Sequence, residues 1–147
     1  MTRKFIYPKG NNPKSYYHSP KIEVRKSTVH GVGVFAVKAI KKNEVLEEDY
    51  YIILKGDWHK LPNLMQEYIF GWTKDLPDSK SKAALVFGNG ALYNSSPNPN
   101  ADWQTNINRD RFIYYATQNI KAGEEIMVDY GDEYWESNSK KYKGAIK

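Results

Sequence analysis

From Gly123 to Trp135 the chain reads GEEIMVDYGDEYW, and its alternation restricts the local structure to an extended strand. Glu125, Met127 and Asp129 alternate with Ile126, Val128 and Tyr130, the period of a strand with one buried face. The strand opens at a Gly123 turn and delivers Tyr130 to Gly131, with Tyr134 and Trp135 just beyond. Aromatics gathered at a strand end form either plain core or the walls of a narrow apolar channel with a tyrosine hydroxyl at its floor.

Two upstream stretches bear on that choice. GNGALYNSSPNPN, residues 88–100, is too rich in Asn, Gly, Pro and Ser for a regular element and reads as a loop, with Leu92 and Tyr93 in its middle. HGVGVFA, residues 30–36, is a GxG turn feeding a strand. In order, Gly31-Val32-Gly33, then Asn94-Ser95-Ser96 with Pro99-Asn100, then Gly123-Glu124-Glu125 leading to Asp129-Tyr130-Gly131 resemble the SET-domain protein-lysine methyltransferases. The resemblance runs from about Ile22 to Trp135. It is greatest to the compact viral and bacterial members, which lack Cys-rich flanking domains.

This resemblance implies a mainly β fold of small curved sheets with one short helix. The C-terminal strand would pass through a loop as a pseudoknot, against the usual rule that chains do not thread. It implies transfer of a methyl group from S-adenosylmethionine to a lysine of a protein, foremost a histone or histone-like basic protein. Tyr130 and Tyr68 would be the catalytic tyrosines, and Tyr68, Val128, Tyr130 and Tyr134 would line the lysine channel. The cofactor would lie on Gly31, Val32 and Gly33, against Tyr93, Asn94, Ser95 and Tyr130, with Trp135 over its adenine. A homodimer is also implied. Two positions depart from the family pattern. Ser95 stands where relatives carry His, and Val128 stands where many carry an aromatic that limits methylation. The smaller valine leaves room for higher methylation states unless Tyr93 or Tyr115 fills the space.

The chemistry is consistent with such a site. Free lysine has a pKa near 10.4, so only about one amine in 2,500 is neutral at pH 7. An apolar aromatic channel destabilises the ammonium by desolvation, and a neighbouring sulfonium opposes it further. Alignment and weak C–H···O contacts to carbonyl and phenol oxygens complete the requirements; no metal is needed. His18, His30 and His59 show no metal-ligand spacing, so no metal site is expected.

At 147 residues the chain makes one domain, and with no cysteine it can hold neither disulfides nor thiolate zinc. The divisions expected are a basic arm (1–20), the SET domain (21–135) and a basic tail (136–147). Net charge is +5, with basic ends and a mildly acidic body. Such ends either aid solubility or make weak, sequence-independent contact with nucleic acid. An acidic body suits a lysine-rich peptide. No apolar run matches a membrane span, so an intracellular protein is expected, in cytoplasm or, for a viral source, the host nucleus.

Strands are expected at Ile22–Lys26, Val32–Val37 and Val45–Leu54, with a hairpin of Trp103–Asn108 and Phe112–Thr117 around Arg109-Asp110. Leu61, Leu64, Met65, Tyr68, Ile69 and Trp72 fall at helical spacing, mostly as core, with Gly71 closing the helix. Thr73–Lys82 reads as a loop. Glu47, Glu48 and Asp49 read as a solvated strand edge or as an attractor of basic substrate. AIKKNEVLEEDYY (39–51) echoes NIKAGEEIMVDYG (119–131), as if two hairpins began alike. Two alternatives to the histone enzyme stay open: a SET-like module that binds chromatin without turnover, and a methyltransferase of a non-histone basic protein.

Overall fold

The structure is a computed structural model that describes residues 4–8, 10, 12, 14–72, 82–106 and 111–130. Its strands are β1 (Ile22–Lys26), β2 (Val32–Ala36), β3 (Val45–Leu54), β4 (Phe70–Trp72), β5 (Lys82–Phe87), β6 (Asn94–Ser95), β7 (Ala101–Asn106), β8 (Arg111–Ala116) and β9 (Glu125–Val128). A single α-helix, α1 (Asn63–Gln66), lies among the described residues. The strands form two sheets, of order β1-β2-β9-β6 and β4-β5-β3-β8-β7. Among the named strands of the described residues, every pairing is antiparallel except β6 with β9. That exception carries the site, because it lays Asn94 and Ser95 directly beside Met127 and Val128.

Asn100 strengthens the same junction. Its side-chain oxygen accepts the Met127 N–H at 2.8 Å, and its amide donates to the Glu125 carbonyl at 2.9 Å. One side chain thus extends the ladder where a two-residue strand runs out. The threading expected for the chain end involves residues beyond 130, outside those described.

The core lies between the sheets, with Val34, Ala36 and Ile126 from the smaller sheet and Leu46, Tyr51, Phe112 and Tyr114 from the larger. Phe112 is its centre, stacked on Trp103 with ring centroids 4.9 Å apart and tilted against Tyr51 at 4.8 Å. The echoed phrases meet in space. Ile40 and Ile120 exchange both backbone hydrogen bonds, at 2.8 Å each. Their following turns are built alike, with Asn43 at φ 69° where the second copy has Gly123 at φ 90°.

The stripe from Leu61 to Trp72 does not make one helix. α1 has four residues, Leu64 and Met65 on it are 68% and 52% exposed, and the stripe's last part is β4. The reason is competition for backbone partners: Phe70, Gly71 and Trp72 pair with Ala84, Ala83 and Lys82, which a continuing helix would forbid. β5 itself was expected only as the tail of a loop at Lys82.

A second correction concerns Glu47, Glu48 and Asp49. They are not a solvated edge, being 0%, 2% and 2% exposed in the middle of the larger sheet. β5 covers only Tyr50–Leu54 on one side of β3, and the N-terminal segment covers the rest. There Ile6 bridges Glu44 and His18 bridges Glu47, while the Glu48 N–H donates to the Tyr17 carbonyl and the Tyr17 N–H to the Glu48 carboxylate. Phe5 packs on Tyr115, and Tyr7 meets Tyr17 edge to face. Buried Glu48 is answered by Arg111 at 3.2 Å, which also donates to the Ser15 carbonyl. A buried charge needs such a partner.

Candidate active site

Tyr130 leaves β9 and is held at two points. Its N–H donates to the Ser95 hydroxyl at 2.9 Å, and its own hydroxyl donates to the Tyr93 carbonyl. A phenol has one hydrogen to give. With that hydrogen engaged, the oxygen presents lone pairs to anything approaching the half-open face of the ring. Ser95 therefore has a structural use that its departure from the family pattern did not suggest: its short hydroxyl reaches the backbone of Tyr130.

Asn94 ties this unit to the GxG turn. Its side-chain amide lies 3.2 Å from the His30 carbonyl, 3.1 Å from the Val32 carbonyl and 2.7 Å from Glu125 Oε1. Glu125 is in turn held by the Ser27 hydroxyl at 2.9 Å. The amide expected to hold a cofactor is thus occupied in bracing the turn, leaving the Asn94 backbone and the turn's outer face for that task. Gly31 supplies the open ground. It has φ 48°, and a Cβ there would meet nothing within 4 Å. Gly33 is different: it is buried, and its missing Cβ makes room for Glu125 and Asn94, not for a ligand.

The other expected residues divide as follows. Val32 is 39% exposed beside Gly31. Tyr93 is fully buried, stacked on Tyr114 at 4.9 Å with its hydroxyl 2.6 Å from Glu47, so it offers a ligand only its backbone. Val128 is fully buried in the core. Tyr115, expected as a filler of space near it, packs instead against Phe5. Tyr68 follows α1, is 42% exposed, and is not one of the residues that fasten Tyr130. Tyr134 and Trp135 lie outside the described residues.

Behind Tyr93 lies a polar cluster that sequence reasoning missed. His18, Glu47 and Asp49 bring ligand-type atoms within 4.8 Å of one another. Its carboxyl oxygens are already taken by donors: the Tyr93 hydroxyl and Asn89 N–H on Glu47, and the Gly90 N–H on Asp49. Burial is the largest influence on Glu47 and pushes it up, yet hydrogen bonds from His18, Asp49 and Tyr93 leave it below its ordinary value. Asp49 is pushed up to about 9 by burial first, then by Glu47 beside it. His18 is raised by its bond to Glu47. Only the glycines of GNG hinted that a side chain must fit closely there.

A family model for the SET domain matches residues 31–131. The chain is 30% identical over 118 residues to the histone-lysine N-methyltransferase of Schizosaccharomyces pombe specific for H3 lysine-37, covering 78% of this chain and 76% of that protein. It is also similar to a crystal structure of a candidate histone methyltransferase from Plasmodium falciparum. That match has TM-score 0.61 and 32% identity, over 80% of this chain and 98% of that one. The three motifs that converge on Tyr130 fall inside the matched span, and the chain belongs to the SET-domain family.

Proposed function

We propose that this protein is an S-adenosylmethionine-dependent methyltransferase of a histone lysine, with Tyr130 as the tyrosine at the reacting atoms. The observation that carries this is the fastening of Tyr130 between Ser95 and the Tyr93 carbonyl, one hydrogen-bonded step from the GxG turn. The names of the relatives supply the substrate class.

The residues present fit the cofactor. Gly31 offers an open cradle, and Val32 stands exposed beside it. Gly31, Val32 and the backbone of Tyr93 to Ser95 would hold S-adenosylmethionine, which supplies an electrophilic methyl carbon on a positively charged sulfur. The protein's own part is to orient and to desolvate. With its hydrogen donated to Tyr93, the Tyr130 oxygen acts as an acceptor toward the methyl C–H groups or the lysine N–H. Desolvation between aromatic walls favours the neutral amine over the ammonium, whose proton leaves to water. The lysine arrives on an extended basic segment.

Tyr130→Phe tests the reading. Transfer of labelled methyl groups to histone H3 is expected to fall roughly 100-fold or more, with cofactor affinity measured by titration calorimetry kept within a few-fold. Full activity in the variant, or no cofactor binding by the folded wild-type protein, would defeat it.

A further inference from the structure

The methyl transfer does not directly use the cluster behind Tyr93, yet the chain is shaped closely around it. Glu47 and Asp49 share the core face of β3, and two carboxyls buried together are costly unless hydrogen-bonded. Glu47 Oε1 accepts the Tyr93 hydroxyl at 2.6 Å, and Oε2 accepts the Asn89 N–H at 3.1 Å. Asp49 Oδ2 accepts the Gly90 N–H at 2.8 Å. A Cβ on Gly88 would stand 2.0 Å from Asp49 Oδ1, and one on Gly90 would stand 2.6 Å from Oδ2. The two glycines of GNG therefore leave the space that Asp49 occupies, shared at Gly90 with the Tyr114 hydroxyl. Two backbone amides and one phenol grip the stretch Asn89–Tyr93 onto β3, and the carbonyl at its end receives the Tyr130 hydroxyl.

We propose that Glu47 and Asp49 are positioning residues for methyl transfer: they seat Tyr93 so that its carbonyl aims the Tyr130 hydroxyl, and His18 closes the pair from the solvent side. This rests on the reading of Tyr130 above. His18 approaches from the N-terminal segment, its Nε2 3.1 Å from Glu47, with its own side chain half exposed.

Protonation makes the device conditional. The groups facing Asp49 are Glu47 on its own strand, His18 from the N-terminal segment, Tyr93 from the loop and Tyr114 from β8. Both tyrosines are held well above the ordinary phenol value, by burial first and then by the carboxyls. Asp49 is thus the member that loses its proton as pH approaches about 9. Two facing carboxylates then push the loop from its seat.

The test is steady-state transfer to histone H3 by wild type, Glu47→Gln, Asp49→Ala, Asp49→Asn and Tyr130→Phe. Melting temperature and S-adenosylhomocysteine affinity are measured for each. Glu47→Gln sets an amide donor against donors, and Asp49→Ala removes the clamp; each is expected to lower kcat about 10- to 100-fold, as small misplacements do. Affinity for S-adenosylhomocysteine should fall several-fold less than kcat does, because Gly31, Val32 and Asn94 keep their own anchors at a distance from the pair although Tyr93 shifts. Asp49→Asn, which keeps a donor for Glu47 and an acceptor for Gly90, should recover most of the loss in Asp49→Ala. It should also move the alkaline fall in kcat to higher pH. A kcat per folded molecule equal to wild type in Glu47→Gln and Asp49→Ala would overturn the proposal. Should those two fail to fold, superimposable pH profiles for wild type and Asp49→Asn would overturn it instead. Full activity of Tyr130→Phe would be a separate failure, that of the reading beneath it.

Discussion

A methyl group placed on Gly33 would come 2.1 Å from Glu125 Oε1 and 3.0 Å from Asn94 Nδ2, so the glycine serves the brace behind the GxG turn. Gly33→Ala is expected to cost about 1–3 kcal/mol, as overpacking does. Pairing it with Glu125→Ala should cost less than the two single changes together, since the clash goes with the carboxylate; a double-mutant cycle by denaturant melts checks this. The sequence allowed Gly31 and Gly33 to be named but not distinguished, because what separates them lies about ninety residues away at Glu125. The burial of Glu47 and Asp49 is illegible in the sequence for a related reason. Carboxylates are almost never fully buried unless paired, and their partners come from residues 18, 89, 90 and 93, none of them adjacent. Ser95 and Tyr130 were legible as positions, while the bond joining them was not.

Elements built from one phrase test what that phrase requires. The turns at Lys41–Glu44 and Lys121–Glu124 close with the same backbone bond, at 3.0 and 3.1 Å, and each glutamate reaches back to the N–H of its lysine. Both place their third residue in the left-handed region. Asn tolerates that region and Gly is at home there. Gly123→Ala should therefore cost about 1–2 kcal/mol, whereas Asn43→Gly should stay within about 0.5 kcal/mol of wild type; thermal melts decide. Sequence pattern made β1, β2, β3, β9 and the β7–β8 hairpin readable, although β8 is buried along its whole length and the first half of β3 on both faces. Residues that recur at helical spacing are divided between α1 and β4, so their period marks no single helix. KAALVF has no alternation to mark it as β5.

Across the whole molecule, Asp49 links stability to pH. In the unfolded chain it titrates near 3.8, in the fold near 9. Between these values the folded state keeps a proton that the unfolded state has released, so stability falls as pH rises. The contribution is complete below 3.8 and lost on passing about 9. Melting temperatures measured from pH 6 to 10 should fall more steeply in wild type than in Asp49→Asn. Equal slopes would show that the carboxyl carries no proton in the fold. The order of strands has a further effect at this scale. β2 lies between β1 and β9, and Ile40 pairs with Ile120 just ahead of the two turns. During synthesis, β1 and β2 can pair with each other, but they leave the ribosome long before β9 or Ile120 exists. Closure of the smaller sheet must wait for residues 125–128, and Tyr130 follows two residues later. Translation therefore releases Tyr130 almost together with the strand that completes the smaller sheet, and a nascent chain cannot display that tyrosine long before the sheet is shut.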